Sequence, residues 1–330
     1  MHISDGVLSP TVSLATGALA AAGIGECVRR LRRQGTEESP RIGLVAAFVF
    51  AAQMVNFPLG IAPVSGHLMG GTLAAVLLGP WGGGLAIAAV LIVQSVLMGD
   101  GAITALGANW LNMGLIGSVA AYPVFLFLSA RARLGTITGA MLAAWVSVIV
   151  SSAAFSIELG FSNGFGGVGQ ILTWMVLVHA VIAVGEALIT GLVLRGVMWS
   201  EPDLIDTATE ASTRPAKRDR IVSWVGGIIA TCAVVILLAP LASAYPDGLE
   251  YVGEQFGFLP AEAEASEPSA PLPDYSVPGM VEGRWSTVAA GLIGSVTVLI
   301  AGQILTRSLA ARRLAAHIAA TTASEGPAVP

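Results

Sequence analysis

The chain has 330 residues, of which 55% are hydrophobic and 11% charged, and its mean hydropathy is +0.78. This composition excludes an ordinary soluble globular domain and is typical of a protein that crosses a membrane several times. The formal net charge is −5, and the basic residues form no stripe with interleaved aromatic side chains. The sequence therefore gives no indication of a nucleic-acid partner.

Nine apolar segments follow one another, and most approach the ~20 residues that a membrane-spanning helix needs. They predict an all-α polytopic integral membrane protein with about seven transmembrane helices followed by two more, although the third segment is short and glycine-rich. The segments lie near residues 9–28, 42–57, 67–79, 83–98, 107–129, 136–158, 171–198, 221–243 and 286–309.

The distribution of positive charge predicts the orientation of these segments. With all nine crossing and the N-terminus outside, Arg284 alone of the 16 Lys and Arg residues falls on the outer side. Short cytoplasmic loops collect positive charge in membrane proteins. We therefore expect a multi-pass protein of a bacterial cell membrane with an extracellular N-terminus and a cytoplasmic C-terminus.

Composition also divides the chain into modules. The apolar pattern stops at a charged stretch that is typical of a cytoplasmic linker. The two helices beyond it enclose an acidic, Pro-rich outer loop, which favours a solvated connector, with a cation-attracting lid as the alternative. The predicted parts are a membrane domain (1–200), the linker (201–220), a two-helix module (221–312) with its outer loop (244–285), and a flexible cytosolic tail (313–330).

Two histidines near the outer surface indicate a metal site. The free amine of Met1, the backbone nitrogen of His2 and the imidazole of His2 can close two fused chelate rings around one ion. His67, at the end of the next outer loop, would supply a fourth nitrogen. Four nitrogens in a plane suit nickel(II) or copper(II) better than zinc. The site needs an unprocessed Met1, and a cleaved signal peptide is disfavoured because no Lys or Arg precedes the first apolar run.

Other polar residues are candidates for supporting roles. A ligating imidazole normally presents its second nitrogen to an acceptor, and Asp5, Asn56, Ser65 and Asn109 are the candidates for that role. His179 and Glu186 share one face of an apolar segment, where burial of polar groups is costly. We favour hydrogen bonding between helices, or contact with a partner subunit, over a second ion station for this pair.

Five motifs follow one another in the first 200 residues. They are Met1-His2-Ile3-Ser4-Asp5-Gly6, Gln53-Met54-Val55-Asn56-Phe57-Pro58, Ser65-Gly66-His67-Leu68-Met69-Gly70-Gly71, Leu78-Gly79-Pro80-Trp81 and, after Asp100-Gly101, Leu106-Gly107-Ala108-Asn109-Trp110-Leu111-Asn112-Met113-Gly114. Over about residues 1–200 they resemble the CbiM/NikM family, the substrate-capture membrane subunits of energy-coupling-factor (ECF) importers for cobalt and nickel. A further motif, Tyr245-Pro246-Asp247-Gly248-Leu249-Glu250, resembles the PDGLE (NikN-like) module, here over about 220–312.

The resemblance implies uptake of nickel(II) or cobalt(II) as the transported substrate, with Met1, His2 and His67 at the family's ligand positions. This chain has no phosphate-binding loop and thus no ATP site, so the energy for transport has to come from partners. The resemblance implies that these partners are a transmembrane coupling subunit and cytosolic ATPases. We favour nickel, with a cobalt importer that feeds cobalamin biosynthesis as the alternative. A membrane-bound metalloenzyme is a distant alternative that lacks catalytic motifs, and a passive channel fits poorly with a closed chelate.

Overall fold

The computed structural model describes residues 2–34, 39–60, 62–131, 135–200, 217–259, 270–281 and 283–324. The described chain is mainly helical, which confirms the all-α membrane architecture. Long apolar helices suit a membrane because each satisfies its own backbone hydrogen bonds. Seven helices are long and apolar enough to span: Pro10–Gln34, Gly71–Met98, Leu106–Ser129, Gly135–Asn163, Val168–Ser200, Trp224–Leu241 and Arg284–Leu305, with a shorter apolar helix at Arg41–Gln53.

The elements of the first module begin with α1 (Pro10–Gln34) and α2 (Ser39–Gln53), followed by a short antiparallel pair, β1 (Phe57–Pro58) and β2 (Ser65–Gly66). Next come α3 (Gly71–Val93), which continues as a π-helical turn (Gln94–Met98), then α4 (Leu106–Asn109), a π-helical segment (Trp110–Ala120) and α5 (Ala121–Ser129). The module ends with α6 (Gly135–Asn163) and α7 (Val168–Ser200).

The second module begins with α8 (Lys217–Ala233), which runs on through a π-helical turn (Val234–Leu238) and a 3-10 turn (Ala239–Leu241). A short helix, α9 (Gly248–Phe256), a 3-10 turn (Pro273–Tyr275) and the long α10 (Arg284–Ser324) complete the chain.

Helix α3 is broken at Gly79, whose backbone angles are φ 72° and ψ 168°, and Pro80 follows. The chain folds back there, because a Cβ atom placed on Gly83 would lie 2.7 Å from the Ala75 nitrogen. The helical part of the third predicted segment is therefore residues 71–78, which at ~1.5 Å per residue reach only ~12 Å. The hydrocarbon core of a membrane is ~30 Å thick, so the prediction of a spanning helix over 67–79 is wrong.

The short helix of residues 71–78 begins in the middle of the bundle. Gly71 starts its helix beside the middle of the π-helical segment, since a Cβ atom on Gly71 would lie 2.7 Å from the carbonyl carbon of Gly117. The Arg30 guanidinium lies 5.2 Å from the Trp81 ring, so the chain has reached the C-terminal end of α1 by that point. His67, by contrast, stacks on His2, which precedes the start of α1 at Pro10. The chain thus passes from one face of the bundle to the other between these residues.

The second module packs on α2 through glycines. A Cβ atom on Gly302 of α10 would lie 2.5 Å from the Gly43 Cα atom, and one on Gly227 of α8 would lie 2.6 Å from Leu44. Such close approach of backbones is the usual role of small residues in membrane helix packing. Two helices of the second module therefore flank α2, and the segments between them return to the face that carries the N-terminus.

The acidic outer loop is ordered where the structure describes it. Helix α9 buries Leu249 and Val252, so the prediction of a solvated connector is wrong for this part. Glu262, Glu264, Glu267 and Glu282 lie outside the described residues.

Two further predictions concern the linker and the tail. The linker lies outside the described residues up to position 216, and α8 begins at Lys217. In the region of the predicted flexible tail, α10 continues to Ser324. Residues 325–330 lie outside the described part of the chain.

Candidate metal centre

The two predicted imidazole ligands meet in the folded protein. The ring centroids of His2 and His67 are 5.1 Å apart, and the ring planes differ by 13°. The two residues are 8% and 7% exposed. Met1, the other predicted ligand residue, lies outside the described residues. The fold thus brings together side chains from the N-terminus and from the segment after β2.

The chain beside His2 is fixed by main-chain hydrogen bonds. The Ile3 N–H donates to Asn109 Oδ1 at 2.8 Å, and Asn109 Nδ2 donates back to the Ile3 carbonyl at 3.3 Å. The Ala102 N–H donates to the same carbonyl at 3.0 Å. The Ile3 side chain is 1% exposed. This terminus is therefore anchored in the bundle, where an unanchored chain end would be poorly ordered.

His67 is oriented by its own chain and by the second module. Its Nδ1 atom lies 3.0 Å from the Leu68 carbonyl oxygen. Because a carbonyl only accepts, Nδ1 carries the proton, and Nε2 is the nitrogen available to a metal. Ser65, at the start of β2, donates from its backbone nitrogen to the Pro246 carbonyl at 2.8 Å and from its hydroxyl to the Tyr245 carbonyl at 2.7 Å. The PDGLE motif thus holds the strand that leads to His67.

A carboxylate lies beside each imidazole. Asp100 Oδ1 is 3.1 Å from His2 Nδ1, and Asp247 Oδ2 is 3.4 Å from His67 Nε2. Burial lowers the pKa of His2 to about 4, although the charge of Asp100 opposes this shift. His2 is therefore neutral at physiological pH, as a metal ligand must be. Its Nε2 atom is buried and has no hydrogen-bond partner among the residues that the structure describes.

Asp247 belongs to the second module and caps α9. Its side chain accepts from the backbone nitrogens of Leu249 at 2.7 Å and Glu250 at 2.9 Å, and Glu250 accepts in return from the Asp247 N–H. This reciprocal arrangement is a capping box. Burial by itself would raise the pKa of the Asp247 carboxyl, but the contact with His67 is among the interactions that bring it well below its usual range. The cap therefore holds a negative charge at His67.

The second module also reaches the carboxylate beside His2. The Tyr275 hydroxyl donates to Asp100 Oδ2 at 2.5 Å and accepts from Gln94 Nε2 at 3.0 Å. Burial raises the pKa of Tyr275, and the neighbouring charge of Asp100 raises it further. The phenol therefore stays protonated and fixes the orientation of Asp100.

The four predicted supporting residues make contacts other than the predicted acceptance from an imidazole, and Ser65 and Asn109 bind the main chain as described above. Asp5 accepts a hydrogen bond from the Thr104 hydroxyl, and the Asn56 carbonyl accepts from the Ser243 N–H at 2.8 Å. The carboxylates at the imidazoles, Asp100 and Asp247, were not predicted. Both belong to the motifs that carry the family resemblance, in Asp100-Gly101 and Asp247-Gly248. Their membership in these motifs was the available indication that they contribute to the site.

His179, on α7, faces the same cavity as His67. It lines a small cavity of about 10 Å³ together with His67, Asp247 and the residues Gly66, Met69, Val148, Ile182 and Gly248. Its Nδ1 atom is 2.8 Å from the Met175 carbonyl of the same helix. Glu186 accepts from the Met69 and Gly70 nitrogens, so it joins α7 to the non-helical residues before α3. These contacts differ from the predicted hydrogen bonding between two helices.

Within the described part of the chain, no group of three or more His, Cys, Asp or Glu side chains forms a ready metal site. This finding is compatible with the predicted chelate, because two of its four nitrogens are the Met1 amine and the His2 backbone nitrogen. Such donors are not side-chain groups.

Comparison with known families covers nearly the whole chain. The family model described as "Cobalt uptake substrate-specific transmembrane region" (CbiM) matches residues 2–204. The chain belongs to the CbiM family. The PDGLE domain model matches residues 222–311. The predicted resemblance, a CbiM/NikM region fused to a PDGLE module, is thereby confirmed.

Relatives with the same two-module organisation are named for nickel. The putative fused nickel transport protein NikMN of Archaeoglobus fulgidus is 35% identical over 93% of this chain and 98% of the relative. The fused nickel transport protein NikMN of Rhodobacter capsulatus is 28% identical over 94% of this chain and 98% of the relative. The cobalt transport protein CbiM of Sorangium cellulosum is 30% identical over 62% of this chain and 95% of the relative.

A solved structure agrees with the first module of this CbiM-family chain. The crystal structure of a truncated transition metal transporter is 30% identical in sequence, with a TM-score of 0.54. It covers 60% of this chain and 99% of its own. The chain is accordingly a nickel or cobalt transport membrane protein of the CbiM/NikMN type.

Proposed function

We propose that the chain captures nickel(II), in preference to cobalt(II), through the Met1 amine, the His2 backbone and imidazole nitrogens, and the His67 imidazole. The observation that carries this proposal is the meeting of two buried imidazoles, His2 and His67, from distant parts of the chain. The naming of two fused relatives for nickel supports the preference among metals. A planar set of nitrogens also suits nickel(II).

Chelation by the N-terminus requires a particular nitrogen of His2. Only Nδ1 is close enough to the backbone nitrogen to close the second chelate ring, but in this structure Nδ1 faces Asp100. A half-turn of the ring would direct Nδ1 to the metal and Nε2 to Asp100. The carboxylate would then accept from the second nitrogen of a ligating imidazole, which is the usual outer-shell arrangement.

The two carboxylates also favour a cation at this position. Asp100 and Asp247 lie on the two sides of the imidazole pair. Their negative charges offset the loss of hydration of a divalent ion in a site with buried walls. We infer that the second module contributes to affinity through Asp247.

The role in transport follows from what the chain lacks. Its sequence has no phosphate-binding loop, so energy has to come from other subunits. We propose an ECF-type importer in which a transmembrane coupling subunit and cytosolic ATPases reorient this subunit. The site would open at the extracellular face, with the C-terminus in the cytoplasm. The alternative is a cobalt importer that supplies cobalamin biosynthesis, which the name of the Sorangium relative favours.

Calorimetric titration of the purified, detergent-solubilised chain tests the proposal. We expect saturable binding of one nickel(II) ion per chain, weaker binding of cobalt(II), and no binding of magnesium(II), which prefers oxygen ligands. Tighter binding of cobalt than of nickel would support the alternative. A protein that is folded by circular dichroism but binds neither metal would contradict metal capture.

Asp247→Asn separates the charge of this residue from its capping role. Asparagine caps helices about as well as aspartate, so α9 should stay in place and the melting temperature should change little. Loss of the negative charge beside His67 should weaken nickel binding by ~10–100-fold, as for other outer-shell partners of metal ligands. The measurement is nickel titration, with Asp274→Asn of the same module as the matched control. Equal affinities of wild type and Asp247→Asn would contradict the role of this carboxylate.

A further inference from the structure

Glu186 is a carboxylate in the middle of α7 that lies far from solvent, at 1% exposure. Its two oxygens accept from successive backbone nitrogens, Met69 at 2.5 Å and Gly70 at 2.9 Å. These two residues follow His67-Leu68 directly in the sequence. A residue of α7 thus holds the main chain that carries a proposed metal ligand.

The same segment is held from its other side. Gln53, the last residue of α2, donates from Nε2 to the Met69 carbonyl at 2.8 Å. The peptide groups on both sides of Met69 are therefore bound by buried polar side chains of two different helices. Gly70 adopts φ 74°, a conformation that glycine tolerates better than other residues. These contacts hold residues 67–70 in a non-helical conformation just before the helix of residues 71–78 begins.

Apolar contacts between α7 and the strand pair leave little freedom around this clamp. A Cβ atom on Gly66 would lie 2.6 Å from Ile182 Cγ2, and one on Gly185 would lie 2.3 Å from the Phe57 ring. Close packing of this kind fixes the separation of the elements but not the angle of the next peptide. The two hydrogen bonds to Glu186 supply that directional restraint, because hydrogen bonds weaken steeply when misaligned.

Capping of a helix N-terminus is the simpler role for this carboxylate, and it would need no metal. Two features go beyond it. The proposed ligand His67 lies only two residues before Met69, the first residue that Glu186 binds. A carboxylate without compensating contacts is also costly at this depth in a membrane. The restraint acts on the only segment that joins His67 to the bundle on its C-terminal side.

We propose that Glu186 is a positioning residue for the metal site, which fixes His67 Nε2 relative to His2 through the Met69 and Gly70 nitrogens. This inference rests on the proposed function. In this proposal, helix α7 determines the position of the His67 imidazole at the metal. A change at Glu186 should therefore alter both the affinity for nickel and the geometry of the bound ion.

The test compares Glu186→Gln and Glu186→Ala with a matched control. Glu158→Gln is that control, because Glu158 is also a carboxylate in a membrane helix but accepts from the Asn112 side chain at 2.9 Å and not from the backbone of residues 67–70. Three quantities are measured on the solubilised full chain: nickel affinity, the ligand-field absorption of bound nickel(II), and hydrogen exchange of the Met69 and Gly70 amides without metal.

We expect Glu186→Gln, which keeps one acceptor oxygen, to weaken nickel binding by ~10-fold, and Glu186→Ala to weaken it by ~100-fold. Both should shift the ligand-field band and speed exchange at Met69 and Gly70, while exchange in α6 and the melting temperature stay near wild type. Glu158→Gln should match the wild type in all three measurements.

Wild-type affinity and absorption in Glu186→Ala would overturn the positioning role while leaving the proposed function intact. Faster exchange throughout the bundle with an unshifted absorption band would also overturn it, because that pattern describes a general stabilising contact. Absence of nickel and cobalt binding in the wild type would instead overturn the proposed function, and the positioning role with it.

Discussion

His67→Ala should abolish tight nickel binding. The substitution removes the one proposed nitrogen ligand that does not come from the first two residues, and nothing in the chelate can replace it. We expect the loss to exceed the ~10–100-fold effect of removing an outer-shell partner. Calorimetric titration gives the affinity, and the ligand-field absorption of nickel(II) shows whether any residual binding keeps the same geometry.

The control for this substitution is His317→Ala, which makes the same chemical change in the C-terminal part of α10. We expect that variant to bind nickel as the wild type does. The backbone contacts of Ser65 and Met69 do not involve the imidazole, so the fold of His67→Ala should persist in circular dichroism. Unchanged affinity in this folded variant would remove His67 from the ligand set and direct attention to His179.

The membrane architecture was predictable because it depends on local composition. Uninterrupted apolar runs leave a chain in lipid few options other than helices. The break between the third and fourth apolar segments, at Gly79-Pro80, was also visible in the sequence. What the sequence did not show is that the helix begins only at Gly71, although the apolar run starts at residue 67. The conformation of residues 67–70 depends on Gln53 and Glu186, which come from distant helices, and periodicity does not reveal such contacts.

The acidic loop also shows what a pattern in the local sequence does not reveal. Helix α9 covers Gly248–Phe256, and an isolated helix of this length is marginal in water. It forms because the capping box starts it and because Leu249 and Val252 are buried against the first module. Charge and proline content predicted a solvated connector because they take no account of the surface of the first module, against which α9 packs.

The imidazole pair itself was predictable, whereas its carboxylate partners were not. The sequence shows His2 directly after Met1 and His67 between glycines and Ser65, and the predicted site was built on these residues. The pairing of Asp247 with His67, by contrast, needs the second module to fold back over the first. The same is true of Tyr275 and Asp100. Both contacts join residues that are far apart in sequence, and no single-sequence pattern records them.

One extra residue before Met1 should lower nickel affinity as strongly as the loss of His67. The addition converts the Met1 amine into a peptide nitrogen, which is a much poorer ligand until it loses its proton. It also pushes additional atoms into a region where His2 is buried and Ile3 is held by Asn109. The measurement is nickel titration of the extended chain, and the matched control carries the same extra residue after Pro330.

The comparison of this variant with His67→Ala decides between two donor sets. If both lose tight binding, the ion is held by four nitrogens, and the carboxylates act from outside. If His67→Ala loses binding but the extended chain keeps it, the Met1 amine is not a ligand. The nearest remaining donors would then be the oxygens of Asp100 and Asp247, which lie within 3.4 Å of the imidazole nitrogens. Such a mixed set of nitrogen and oxygen would favour an octahedral ion over a planar one, and Asp247→Asn would then remove a direct ligand.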